Sequence, residues 1–280
     1  MNARFDARLA RLLHPNSTRK IASLALTLAM LGALAGCGKS SKATAPVTSS
    51  GTGPRTESEA TQVAQQSAAM GNAYLDQAKG LVNVATGHSA RPARVGPYNN
   101  LGRAADSTST TYAFQGFDIN GNPIDWVTQR DQLASLQMDF RWYYNTSSDS
   151  LLLDEDVRSH GIVAGFDAGS TRYVANAADS MLFAYNGYSA GYHAIYNYAG
   201  TSTVTNVAWE KSGAPAYPVA GAIMQHWHMT YEYWYGAQHG TGDITTDATI
   251  TFNGTRYASM QVGTYLFSVD LETWTVTSRT

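Results

Sequence analysis

The chain has 280 residues, 44% of them hydrophobic, and a formal net charge of −2. Beyond the first twenty residues it carries no run of lysine or arginine, so nothing is positioned to neutralise phosphates and nucleic acid is excluded as a partner. The length allows a sizeable core, and Cys37, the single cysteine, excludes any disulfide within the chain.

Residues 2–20 carry Arg4, Arg8, Arg11, Arg19 and Lys20, and residues 21–36 are apolar or small and uncharged. A positive flank, a short apolar stretch and small residues, in that order, form an export leader. The apolar stretch has 16 residues. About 20 are needed to cross a bilayer as a helix, which disfavours an uncleaved anchor. Leu34, Ala35, Gly36 and Cys37 close the leader, and this box resembles the lipobox of bacterial lipoproteins. The resemblance implies diacylglycerol (with a further acyl chain, palmitate among the candidates) on Cys37, and cleavage after Gly36. Two or more acyl chains on one residue anchor stably where one is marginal. Gly38, where an aspartate would retain the protein, implies by the same resemblance the outer membrane of a diderm bacterium, its periplasmic or surface face left open. Removal of residues 1–36 takes away five basic groups and Asp6, leaving 14 basic against 20 acidic residues and a net charge of −6.

Residues 37–56 read as the lipidated cysteine and a flexible tether, because Val47 is the only bulky apolar residue after Cys37. Residues 57–280 read as a single domain. Thr56 followed three residues later by Glu59 is a capping box, and Val63, Ser67, Met70, Tyr74, Ala78 and Leu81 recur on one helical face, which predicts a helix over 57–83. Gly71 interrupts it at a cost of about 1 kcal/mol relative to alanine, and Gly80 or Gly87 is placed to end it. Residues 84–107, with Pro92, Gly96 and Pro97, read as a loop.

From residue 108 onward the period falls to two. Leu136, Met138, Phe140, Trp142 and Tyr144 alternate with Gln137, Asp139, Arg141 and Tyr143, and Tyr265, Phe267, Val269 and Leu271 repeat the device. Asn120-Gly121 and Asn253-Gly254 are hairpin turns, and breaks at 145–149, 167–170 and 211–213 separate further strands. Short links imply antiparallel neighbours. The expectation is a mainly β fold of nine to eleven strands, an antiparallel meander forming a β-sandwich or half-open barrel, with one N-terminal helix packed on it.

Four local patterns could carry chemistry. Gly187, Ser189 and Gly191 match the nucleophile elbow, but the residues that follow are strand-like, so a turn between strands explains them; Glu210, Glu232 and His239 complete a triad only in chain order. His226, His228 and Glu232 share one strand face and are a candidate divalent-metal set. Their spacing from Gly221 resembles the first conserved motif of the cupin family, departing by one residue before His226 and without a later histidine past His239. Asp154, Glu155 and Asp156 read as a solvated acidic turn. Seventeen tyrosines and six tryptophans read mainly as core, with an aromatic binding face for a hydrophobic or carbohydrate ligand as the alternative. The same alternating, Tyr-rich strands leave a transmembrane barrel open as a reading. Helix-then-sheet order is similar to envelope carriers of the LolA/LolB type, whose half-open barrel holds acyl chains. The reading is a non-catalytic, lipid-anchored envelope protein. Its alternatives are a carrier of lipid or acyl chains and a metal-binding β protein. No resident cofactor is expected.

Overall fold

The computed structural model describes residues 47–54, 56–87, 107–148, 151–189, 192–212 and 217–279. Cys37, the leader and most of the 84–107 loop lie outside the described residues.

The helix α1 (Glu57–Thr86) forms as the pattern requires. Thr56 is extended, and its hydroxyl accepts from the Glu59 N–H at 3.2 Å. Gly87 closes the helix at φ 79°, a left-handed conformation that side chains resist. The helix therefore runs three residues beyond the predicted 83.

Among the described residues twelve strands form one sheet: β1 (Val47–Thr52), β2 (Ser107–Phe117), β3 (Pro123–Ile124), β4 (Ser135–Ser148), β5 (Leu151–Ala164), β6 (Arg172–Ser189), β7 (Tyr192–Glu210), β8 (Ala220–Tyr235), β9 (Gln238–Thr251), β10 (Tyr257–Val262), β11 (Tyr265–Asp270) and β12 (Val276–Ser278). The order is β12-β11-β10-β9-β8-β7-β6-β5-β4-β2-β3, and every pair along it is antiparallel. The meander is mainly β with one helix, and it is a single sheet that does not close into a barrel. A membrane-spanning barrel, which needs a closed ring of strands, is therefore corrected to an open sheet with edges.

Two further expectations are corrected. Residues 47–52, read as tether, form β1 and pair parallel with β9, Val47 against Gly240 through Thr52 against Thr245. β10 takes the rest of the same edge, residues 248–251. The acidic run is strand rather than turn: Asp154 and Asp156 lie on one face of β5, and Glu155, 2% exposed, is buried on the other. Alternation divides such a triplet between two environments.

The helix lies across the strands. Gln225 of β8 donates to the Ser67 carbonyl, Tyr74 to Ser202 of β7, and Gln77 to Ser159 of β5. Those three sheet residues share one cross-strand row, Ser159–Asp179–Ser202–Gln225. Ten helical residues rise about 15 Å and three strand spacings cover about 14 Å, so the axis follows the row. Ala60, Ala64, Ala68 and Leu75 face the sheet, where Ile223, Ile250, Met260 and Phe267 are fully buried. Gly71 is needed there: a Cβ would come within 2.7 Å of Ile250 Cδ1 and 3.2 Å of Trp274. Toward the hairpin ends of β6–β9, tyrosine rings take over the packing. Tyr231 and Tyr233 lie across Gly242 and Gly240 of the neighbouring strand, and Tyr185 and Tyr198 lie across Gly187 and Gly200 of their own. Trp126, Trp209 and Trp227 are buried as well, so most of the aromatic load does fill the core.

Candidate functional site

All five histidines among the described residues sit on the face opposite α1. There they are exposed or half-buried. His226, His228 and Glu232 do share that face, as period two requires, but each meets a different partner on a neighbouring strand. His226 Nδ1 lies 2.7 Å from Asp247, His228 Nε2 2.8 Å from Asp243, and His239 Nε2 2.8 Å from Glu232. His160 repeats the arrangement 2.6 Å from Asp139. Among the described residues no three histidine, cysteine or acidic side chains converge as a metal site. The carboxylate partners come from strand register, which the sequence does not display. Of the elbow pattern, Gly187, Tyr188 and Ser189 end β6, Ala190 and Gly191 lie outside the described residues, and the chain resumes at Tyr192 as strand β7 rather than helix. Glu210 pairs with Arg172 at the far end of β7, away from His239.

Two concave places stand out among the described residues. The first is an open groove of about 390 Å³ on the outer face. One cross-strand row runs Tyr143–Asp156–Leu182–Ala199–His228, and the next includes Asp154–Ala184–Asn197–Thr230. Ala184 and Ala199 are too small to fill the middle, while Tyr143 and His228 stand as walls four strand spacings, about 19 Å, apart. Leu182 is 57% exposed on the floor. Arg141 grips Asp156 with two hydrogen bonds of 2.9 Å, and Arg158 adds another at 2.8 Å. Burial pushes the Asp156 carboxyl up, but the two guanidinium groups outweigh it and hold it below the ordinary range. Asp156 is thus a fixed anion, and Asp154 and Asn197 line the groove beside it.

The second is a cavity of about 30 Å³ between α1 and the sheet, lined by Met70, Tyr74, Gln77, Ser159, Asp179 and Ser202 among others. It has room for one or two waters and for no larger molecule. Asp179 is 8% exposed, and neither of its oxygens has a hydrogen-bond partner among the described residues. Burial pushes its carboxyl up to about 7, the neighbouring Ser159 hydroxyl opposing the shift. Burial likewise pushes Glu155 up to about 8. Neither acid was singled out as buried from the sequence. A polar residue at an inward position of an alternating strand was the available signal.

Beside the groove, toward the hairpin ends, four rings on adjacent strands form a stack. Tyr188 and His193 are 3.8 Å apart, His193 and Trp234 4.5 Å, and Trp234 and His239 5.1 Å, with interplanar angles of 6°, 8° and 13°. Asn186 and Glu232 hold the two imidazoles at 2.9 and 2.8 Å.

Fold and surface together define an open antiparallel meander, plugged by a transverse helix on one face and grooved on the other. Compared with protein-family models, curated proteins and solved structures, the chain matches none.

Proposed function

We propose that this protein is a lipid-anchored envelope protein, held through Cys37 at the outer membrane, whose folded body is a non-catalytic binding module for neutral carbohydrate. The observation that carries the binding half is the contrast between the two faces. The helix side offers about 30 Å³, whereas ligand sites occupy roughly 300–1,000 Å³, so an acyl-chain carrier has no chamber to use there. The outer groove, at about 390 Å³, falls inside that range. Its chemistry suits sugars: an aromatic wall at Tyr143 for the apolar face of a pyranose, with the Asp154 carboxylate, Asn197 amide and Thr230 hydroxyl for its hydroxyl groups. The alanine floor lets a flat ring approach the sheet. The anchoring half is carried by the leader and the Leu34–Cys37 box.

Two measurements test the two halves separately. Mass spectrometry of protein taken from native membranes is expected to show a chain beginning at Cys37 with added diacylglycerol and acyl mass; an intact leader with a free thiol removes the anchor. Titration of the detergent-solubilised full chain with neutral glucose and N-acetylglucosamine oligosaccharides is expected to give saturable binding, weakened at least tenfold by Tyr143→Ala. Binding to none of them, or binding indifferent to that substitution, removes the groove as the site.

A further inference from the structure

The carboxylate of Asp179 lies under the helix with no cationic side chain paired to it among the described residues. On the sheet its direct neighbours across the strands are Ser159 and Ser202. Each serine oxygen already accepts a hydrogen bond from the helix, Ser159 from Gln77 Nε2 at 3.0 Å and Ser202 from Tyr74 Oη at 2.8 Å. A hydroxyl oxygen has two lone pairs and one hydrogen. Both serines therefore keep a lone pair, and a hydrogen to turn toward the carboxylate between them. Burying an unpaired charge is costly, and buried charges are normally paired or bound to metal ions. No lysine or arginine pairs with Asp179 among the described residues.

We propose that this cavity is a binding site for a small monovalent cation of the sodium class, with Asp179 as its counter-charge and Ser159, Ser202 and Tyr74 as neutral oxygen donors. The volume of about 30 Å³ excludes organic cations and fits a single ion with at most a water. The donor set contains oxygen alone, the preference of hard cations, and no imidazole or thiol for zinc or copper. Charge decides the valence. Glu155, the other buried acid, pairs with Phe183, four residues along β6 from Asp179 and about 13 Å away, so a divalent ion would keep a buried positive charge uncompensated. The ion would join α1 to the middle of the sheet, because the two serines it touches are the ones the helix already holds.

The site is tested by thermal unfolding of the detergent-solubilised full chain at pH 8.5, in sodium and in choline chloride at equal ionic strength. Sodium is expected to raise Tm by several degrees over choline, with a smaller rise in potassium, and Asp179→Asn is expected to abolish the difference. Equal Tm in sodium and choline overturns the site. So does a sodium effect that survives in Asp179→Asn, which would mark it as a general salt effect. Should that variant fail to fold, Ser202→Ala takes its place: a reduced sodium response supports the site and an unchanged one overturns it. Broadening of the sodium-23 resonance by the wild-type chain, absent with Ser202→Ala, gives a reading independent of stability.

Discussion

Asp179 and Glu155 set the acid response of the fold, and they set it in the direction opposite to a surface carboxylate. Their folded-state values of about 7 and about 8 lie above the ordinary 3.8 and 4.5, so the folded chain holds these two protons more tightly than the unfolded chain. The stability they contribute is full below the unfolded values and is lost as pH rises through the folded ones. Each group costs about 1.4 kcal/mol per pH unit across its window. Chemical denaturation in choline buffer should therefore show stability falling between about pH 4 and 8. The double variant Glu155→Gln, Asp179→Asn should flatten that slope and be the more stable form at pH 8. A wild-type profile that rises across the window would mean both carboxylates are charged and satisfied in the folded chain. Outer-face acids act the other way. Asp139, raised by partial burial but lowered further by the His160 and Gln137 hydrogen bonds, loses its contribution only in stronger acid.

How α1 meets the sheet depends on one small residue. Glycine costs about 1 kcal/mol in a helix interior, yet Gly71 sits where any side chain would enter the space of Ile250 and Trp274. Gly71→Leu should destabilise by about 1–3 kcal/mol in urea unfolding despite its better helix propensity, because overpacking outweighs propensity. A neutral or stabilising result would mean that the helix does not lie this close. The helix itself is legible: Thr56, Glu59 and the three-four spacing mark its start and its buried face, while its end is left between Gly80 and Gly87 until the structure closes it at Gly87. The long strands were legible where one face is apolar and the other polar, as in 136–144. Three things were not. β1 has the sequence Val47-Thr-Ser-Ser-Gly-Thr with no apolar alternation, and it is a strand because its backbone pairs with β9 alongside Gly240 and Gly242. The carboxylate partners of His226 and His228 and the two rows of the groove exist only once register is set. Glu155 reads as part of a solvated acidic turn and Asp179 belongs to no motif, because charge is a strong cue for exposure and these two are exceptions to it.

The edges of the sheet matter for the whole chain. An uncovered strand edge is a template for pairing with another copy, and β1 covers the stretch of β9 that β10 leaves free. The Gly53 N–H donates to the Thr245 carbonyl, and in a parallel strand alternate residues repeat that bond, which places the Ser49 N–H among the donors to β9. Ser49→Pro should release β1. Limited proteolysis is expected to cut within 47–53 several-fold faster while the fragment from α1 onward persists, and sedimentation should show concentration-dependent association. Unchanged cleavage would mean that the backbone pairing contributes little.

On the lipoprotein reading, that short parallel strand also bears on how the body would meet a bilayer. Val47 is seated against Gly240, beside the β8–β9 link, and nine residues lie between it and Cys37, a reach of roughly 35 Å at full stretch. On the lipoprotein reading, the fatty acids are therefore moored beneath the tips of β6–β9. Those tips carry Tyr188 and Tyr235 at their margins, aromatic side chains of the kind that favour the headgroup layer. On the same reading those tips are the part of the folded body that the anchor keeps nearest the lipid.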